Sequence, residues 1–325
     1  MAARTVARVS QMRLAVIALL VVSAIWGAHA VIGANVERVI APLPLTVGRF
    51  TVTALCFLPS TYHARKRFRQ MSMRTWLTLA AAGLSVAVFY PLFYYQSLLT
   101  LSPVESLLII NAAPILAAFL AFLFYRERLT RKQLLGMGIA LCGVILIATQ
   151  ASGRGHASLA ALLDAVIGMA SFAFYTVISR KLFQALPRFD VLGITSVLGA
   201  IVLWCIAFVQ GKVSVVVQSY AHFSLASWLG FFFIALFVSV IAYTLFGYAL
   251  PRVPTGLSAS LTFYPQALFA ALLQWLIIGQ LPSQRTFLGG GILLIGTFLL
   301  QNAKRKAGAE SPLEETLRKD RSSST

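Results

Sequence analysis

The side chains with the most chemical potential in this sequence are a few ionisable groups set inside long apolar runs: His29, Arg49, Glu105 and Asp164. An ionisable group held among apolar residues is costly, so each marks a candidate binding, coupling or pairing position. Arg49 offers a planar fork that fits a carboxylate through two hydrogen bonds. Asp164 and Glu105 could each bind and release an ion or proton. Trp26, His29 and Gly33 fall at i, i+3 and i+7, hence on one helical face. A histidine beside a carboxylate can carry a proton near neutral pH, or it can simply hydrogen-bond a neighbouring helix. Arg49 has a similarly plain alternative, an ion pair with Glu105 or Asp164 that pins two helices.

A second group lies midway along its apolar runs: Tyr90 and Pro91, Asn111 and Pro114, Phe172 and Tyr175, Tyr243, and Tyr264 with Pro265 and Gln266. Asn111 and Gln266 could hydrogen-bond a polar ligand, and the tyrosines could close around its apolar part. Prolines at such depth free backbone carbonyls, which are tolerated facing a cavity or a neighbouring helix. Trp26, His29, Arg49, Tyr90, Asn111, Tyr175, Tyr243, Tyr264 and Gln266 form the candidate substrate-binding set, with Asp164 and Glu105 as candidate ion-coupling groups. Tyr62, Trp76, Tyr220 and Trp228 sit near run ends, as an interfacial aromatic belt would.

No HExxH, phosphate-binding loop or GxSxG elbow occurs, so no catalytic residue, cofactor or metal site is expected and the chain does not read as an enzyme. Cys56, Cys142 and Cys205 lie in apolar segments without CxxC spacing and read as small buried hydrophobes.

These residues sit in a chain that water cannot hold. Charged residues make up 11% and the hydrophobic set 59% of 325 residues, where soluble proteins carry about 25% charge. The mean hydropathy is +0.83. A globule cannot hide that much apolar surface, and disorder requires the opposite composition. The net charge of +18 would suggest nucleic acid in a soluble protein, but the basic residues cluster between apolar runs and read as helix-flanking charges instead. Nucleic acid is therefore not an expected partner. A small-molecule substrate and membrane lipid are, and two copies could pair as a homodimer.

A membrane helix needs about 20 mostly apolar residues. That ruler gives ten spans: Leu14–Val36, Leu43–Tyr62, Thr75–Leu98, Val104–Tyr125, Gln133–Thr149, Leu159–Ile178, Val191–Val209, Trp228–Leu250, Thr255–Ile278 and Thr286–Leu300. The fifth and tenth are short. With the N-terminus in the cytoplasm, the inner segments collect the basic clusters around Arg8, Lys66, Lys132, Lys181 and Lys304, while the outer loops hold Arg38, Arg154, Lys212 and Arg285. This asymmetry places both termini inside. Ala28-His29-Ala30 resembles a signal-peptide cleavage site, but the apolar run continues past it to Val36 and belongs to an internal repeat.

Laying Thr100–Leu129 over Pro251–Gln280 aligns Pro103 with Pro254 and Pro114 with Pro265, and a glycine-studded span follows each segment. The chain thus divides into an N-terminal segment (1–13), one five-helix repeat (14–149), an external linker (150–158), a second repeat (159–300) and a polar, basic tail (301–325). Five is odd, so the second half must be inverted, as in many secondary transporters. Channel, scaffold and intramembrane-enzyme readings stand as alternatives. A channel would show a filter or charged ring, and an enzyme would need paired groups such as Asp164 and His29 to meet.

Ile25-Trp26-Gly27, Pro42-Leu43 with Arg49, and Pro103 through Pro114 to Glu127-Arg128-Leu129 resemble the EamA-like family of the drug/metabolite transporter superfamily, over roughly Leu14 to Leu300. The resemblance implies a ten-helix inner-membrane transporter of two inverted halves, often exporting amino acids or other small metabolites by alternating access. Two positions depart from the family pattern. Gln280 stands where such proteins often carry Glu, and Glu105 where a small residue is usual.

Overall fold

The computed structural model describes residues 2–125, 130–153, 158–253 and 255–309, and among these every regular element is helical. The order is α1 (Ala2–Val36), α2 (Pro42–His63), α3 (Arg65–Arg69), α4 (Met73–Gly83), a π-helical segment (Leu84–Phe89), α5 (Tyr90–Leu98), α6 (Pro103–Ile110), α7 (Ala113–Tyr125) and α8 (Arg131–Gly153). Then come α9 (Leu159–Ala185), α10 (Arg188–Val209), α11 (Val213–Gln218), α12 (Leu225–Phe232), a second π-helical segment (Phe233–Ala242), α13 (Tyr243–Ala249), α14 (Thr255–Ile278) and α15 (Gln284–Ala309).

Eight helical rods among the described residues are long and apolar enough to cross a membrane. They fall on the predicted spans other than the fifth and tenth. Gln284–Leu300, on the tenth, is apolar but shorter. Leu55, Phe208, Val209 and Leu225 are exposed on the outside of the bundle, a surface that suits lipid and not water. Backbone groups in hydrocarbon must bond within their own segment, which is why the rods are helices. The chain is a multi-pass membrane protein.

Two breaks in regular α-geometry matter for the interior. Pro114 has no N–H to give and its ring crowds the carbonyl four residues earlier, so the fourth rod is interrupted at Asn111–Ala112, between α6 and α7. The rods Met73–Leu98 and Leu225–Ala249 instead each carry a π-helical segment, Leu84–Phe89 and Phe233–Ala242. Such segments shift the register of side chains and often accompany function.

Packing follows a pattern that survives exchange of the two halves. α1 packs on α14 as α9 packs on α6 and α7; α1 meets α13 as α9 meets α5; α2 packs on α10, and α8 on α15. The last of these contacts is the tightest. A Cβ on Gly136 would lie 2.7 Å from the Gly296 carbonyl oxygen, and one on Gly143 would lie 2.5 Å from the Gly289 carbonyl oxygen. Ascending numbers in α8 meet descending numbers in α15, so the two run antiparallel. Glycines supply the close approach that association in lipid requires. Ala28-His29-Ala30 lies within the continuous α1 helix. Cys56, Cys142 and Cys205 are free and exposed on the bundle surface, not buried as expected. An apolar surrounding in sequence does not tell lipid from core.

Loops gather at two ends. At one end Arg67 forms an ion pair with Asp190, and Arg180 donates to the Val253 carbonyl at 3.4 Å. The other end carries the turn after α1, the α5–α6 junction and the stretch after α14.

Candidate functional site

α2 carries Arg49 into the interior on the same buried face as Leu45, Phe50, Thr53 and Phe57. The arginine is 0% exposed. Its Nε donates to Ser239 Oγ at 2.7 Å and its Nη1 to the Tyr95 hydroxyl at 3.0 Å. Its Nη2 has no partner among the described residues. The second π-helical segment explains Ser239's placement: Ser239 Oγ donates to the Ile234 carbonyl, five residues back, at 3.2 Å, and so stays fixed while accepting from Arg49. Thr53 donates to the Arg49 carbonyl at 2.8 Å and also lies 3.4 Å from the Ala235 carbonyl.

The Tyr95 hydroxyl is the junction of this network. It accepts from Arg49, and its own proton can be donated to His29 Nε2, 2.8 Å away. One oxygen thereby ties α1, α2 and α5 together, and Ser239 adds the rod Leu225–Ala249.

The described residues place no carboxylate within ion-pair distance of Arg49. This corrects the expectation that Glu105 or Asp164 pins it. Glu105 is occupied elsewhere, at the third position of α6. Ser102 Oγ accepts the Glu105 N–H at 3.2 Å, the Ser102 N–H donates to Glu105 Oε2 at 3.1 Å, and Thr286 Oγ1 lies 3.5 Å from Oε1. That is a capping box. It gives the acidic side chain at this position a structural role. Asp164 lies partly exposed on the first turns of α9 and has no ion-pair partner among the described residues. Nor do Asp164 and His29 meet.

Beside the polar cluster is an aromatic one. Trp26 touches Phe172, Tyr243 and Phe246 with ring centroids 5.7, 5.3 and 5.3 Å apart. Tyr90 lies 4.9 Å from Phe172, and Tyr175 lies 6.2 Å from Tyr243. These rings come from α1, α5, α9 and α13 and occupy the centre of the bundle. His29 joins the two clusters through its ring contact with Tyr94, 5.4 Å away.

Other candidates approach without joining. Asn111 donates to the Phe263 carbonyl at 3.1 Å, and Phe263 contacts Phe172 edge-on at 6.2 Å. The Asn111 side-chain carbonyl, and that of buried Gln266, lack partners among the described residues. Gln266 sits where α14 meets α1, its backbone carbonyl 2.7 Å from the site of a Cβ on Gly27. Tyr264 is half-buried against the core, with its ring 6.5 Å from Phe298 on α15.

Sequence reading missed Tyr95 and Ser239. Tyr95 is hidden among Tyr90, Tyr94 and three other aromatic or polar neighbours, and Ser239 is an ordinary serine in an apolar run.

Residues 13–149 and 159–301 match the EamA-like transporter family. The chain is 24% identical to the uncharacterized transporter YwfM of Bacillus subtilis over 88% of its length and 93% of the relative's. It is 25% identical to YetK of the same organism, covering 93% and 91%. A probable terminal-alkyne amino-acid exporter of Streptantibioticus cattleyicolor is 25% identical, over 63% and 67%. One crystal structure superposes with a TM-score of 0.59 at 17% identity, covering 90% of this chain and 98% of that one, and so shares its fold. This chain is a member of the EamA-like transporter family.

Proposed function

We propose that the protein exports small carboxylate-bearing metabolites, amino acids or their relatives, across the inner membrane by alternating access. Arg49 is the anion anchor in this reading. One observation carries it: a fully buried guanidinium whose described partners, Ser239 and Tyr95, are both neutral. A buried charge without a counter-charge is costly, and one guanidinium nitrogen still points at no partner. A substrate carboxylate would supply both the charge and the missing acceptor. The partnerless carbonyls of Asn111 and Gln266 would accept from its ammonium or amide groups, and Trp26, Tyr90, Tyr175 and Tyr243 would enclose the apolar remainder. Since these rings now contact one another, entry of a ligand requires their separation, the movement that alternating access supplies.

The ten-span, inverted-repeat topology with both termini in the cytoplasm belongs to the same proposal. The exchangeable packing of the halves, the antiparallel α8–α15 pair and the gathering of Arg67, Arg180 and Arg188 at one end support it. The amino-acid exporter among the relatives favours the substrate class. Asp164, and Glu105 despite its cap, remain coupling candidates on the external side.

The test compares metabolites retained by a deletion strain with those released on overexpression, then measures export per folded molecule. Arg49→Lys keeps the charge but loses the fork. It is expected to fold and to export the carboxylate poorly. Normal export by a well-expressed Arg49→Lys protein would remove the anchor role.

A further inference from the structure

Just past the end of α1, Glu37 is buried, and both carboxylate oxygens lack a hydrogen-bond partner among the described residues. It is not isolated. It lines a cavity of about 460 Å³ whose floor includes buried Glu105 and Gln274 and whose rim carries exposed Arg38, Thr100 and Gln280. It also lies within electrostatic reach of Tyr94 and Tyr95. Along α1, Gly33 and His29 stand one and two turns below it. Gly33 is bare enough to bring the Tyr95 ring to 3.4 Å from where a Cβ would be. The carboxyl therefore borders an open pocket and also lies within electrostatic reach of Tyr95, the junction of the His29–Arg49 network.

We infer that Glu37 is a proton-binding site, loaded and unloaded through this pocket, which faces the outside in the orientation proposed above. The groups around it argue for a proton and not a bound metal or salt partner. Arg38, adjacent in the chain, is exposed at the rim and makes no ion pair with it among the described residues. Tyr94 and Tyr95 of α5 are the phenols within its electrostatic reach, and α14 presents only the uncharged Gln274 and Ile278 to the pocket. The Glu105 oxygens are engaged by Ser102 and Thr286. No group of three or more metal-ligating side chains occurs among the described residues. Burial pushes the Glu37 carboxyl well above the usual carboxylate range, the direction that a site working near neutral pH needs. An added proton lowers the negative potential that Tyr95, a direct partner of Arg49, experiences. Discharge and loading of Glu37 thus reach the substrate anchor through one tyrosine. Coupling of export to this proton rests on the anchor role of Arg49, whereas proton binding by Glu37 does not.

The experiment uses the wild-type protein in lipid nanodiscs and dicyclohexylcarbodiimide, which adds to protonated carboxyls in apolar surroundings. Peptide mapping is expected to find the acylurea on Glu37. Its formation should fall by about tenfold per pH unit above the titration midpoint, and Glu105 should carry at most about a tenth as much label. Infrared difference spectra give a second readout. The titrating carboxylic-acid C=O band should vanish in Glu37→Gln and persist, with a shifted midpoint, in Glu37→Asp. Labelling of Glu105 in place of Glu37 would overturn the assignment, as would a band unchanged in both variants. Were Glu37→Gln to misfold, the mapping and Glu37→Asp spectra would still decide. Proton binding at Glu37 with unimpaired export by Arg49→Lys would leave this site standing and sink the anchor reading alone.

Discussion

Tyr95→Phe removes one oxygen and should cost the protein stability and transport together. That oxygen lies 3.0 Å from Arg49 Nη1 and 2.8 Å from His29 Nε2, so a single deletion breaks two interhelical bonds. Neutral interhelical hydrogen bonds in membranes average about 0.6 kcal/mol, which sets the scale for the histidine. The guanidinium is the larger loss. With Nη2 already partnerless, only its bond to Ser239 remains, and an unsatisfied buried polar group costs about 1–3 kcal/mol, more when charged. The sum is roughly 2–4 kcal/mol. Reversible unfolding in mixed detergent and SDS micelles would measure it. A cycle with Arg49→Gln assigns it: once the charge is gone the hydroxyl matters less, so the double variant should lose about 1–2 kcal/mol less than the sum of the singles. A Tyr95→Phe protein within about 0.5 kcal/mol of wild type, with additive behaviour in the cycle, would refute the junction role.

Gly296→Ala should destabilise by about 1–3 kcal/mol, because its Cβ would fall 2.3 Å from the Ala140 amide nitrogen and 2.6 Å from the Gly136 carbonyl oxygen. Gly138→Ala, with nothing within 4 Å, should be neutral or slightly stabilising. Equal melting temperatures for the two would reject the α8–α15 seam. Glu37 gives a pH prediction of definite sign. Its folded carboxyl titrates above the unfolded one, so between those values the unfolded state binds fewer protons and stability falls as pH rises from about 4.3. Glu37→Gln should abolish that decline and be the more stable protein at alkaline pH; parallel stability-against-pH curves would contradict it.

Much of the interior was already visible as residue types. Apolar runs of membrane-crossing length place His29, Arg49, Asn111 and Gln266 where polarity is expensive, and the prolines and glycines mark a broken rod and a close-packed seam. Glu105 could have been read further: Ser102-x-x-Glu105 is the spacing of a capping box. What could not be read is which polar groups meet. Arg49 and Ser239 are far apart in sequence, and the contact depends on a π-helical segment that rotates Ser239 relative to an ordinary helix. Similarly, lipid and protein interior are both apolar, so hydropathy could not tell the exposed cysteines from buried ones.

Composition and run length by themselves determined a polytopic helical membrane protein, because backbone and side chains in hydrocarbon have only that solution. The distribution of Lys and Arg added an expected orientation, and proline spacing an expected repeat. Only the tertiary structure decided that Arg49 faces neutral partners and that Glu37 borders a pocket. Those facts depend on rotation of each rod about its axis and on its neighbours, and neither is encoded in the local pattern that makes a segment a helix.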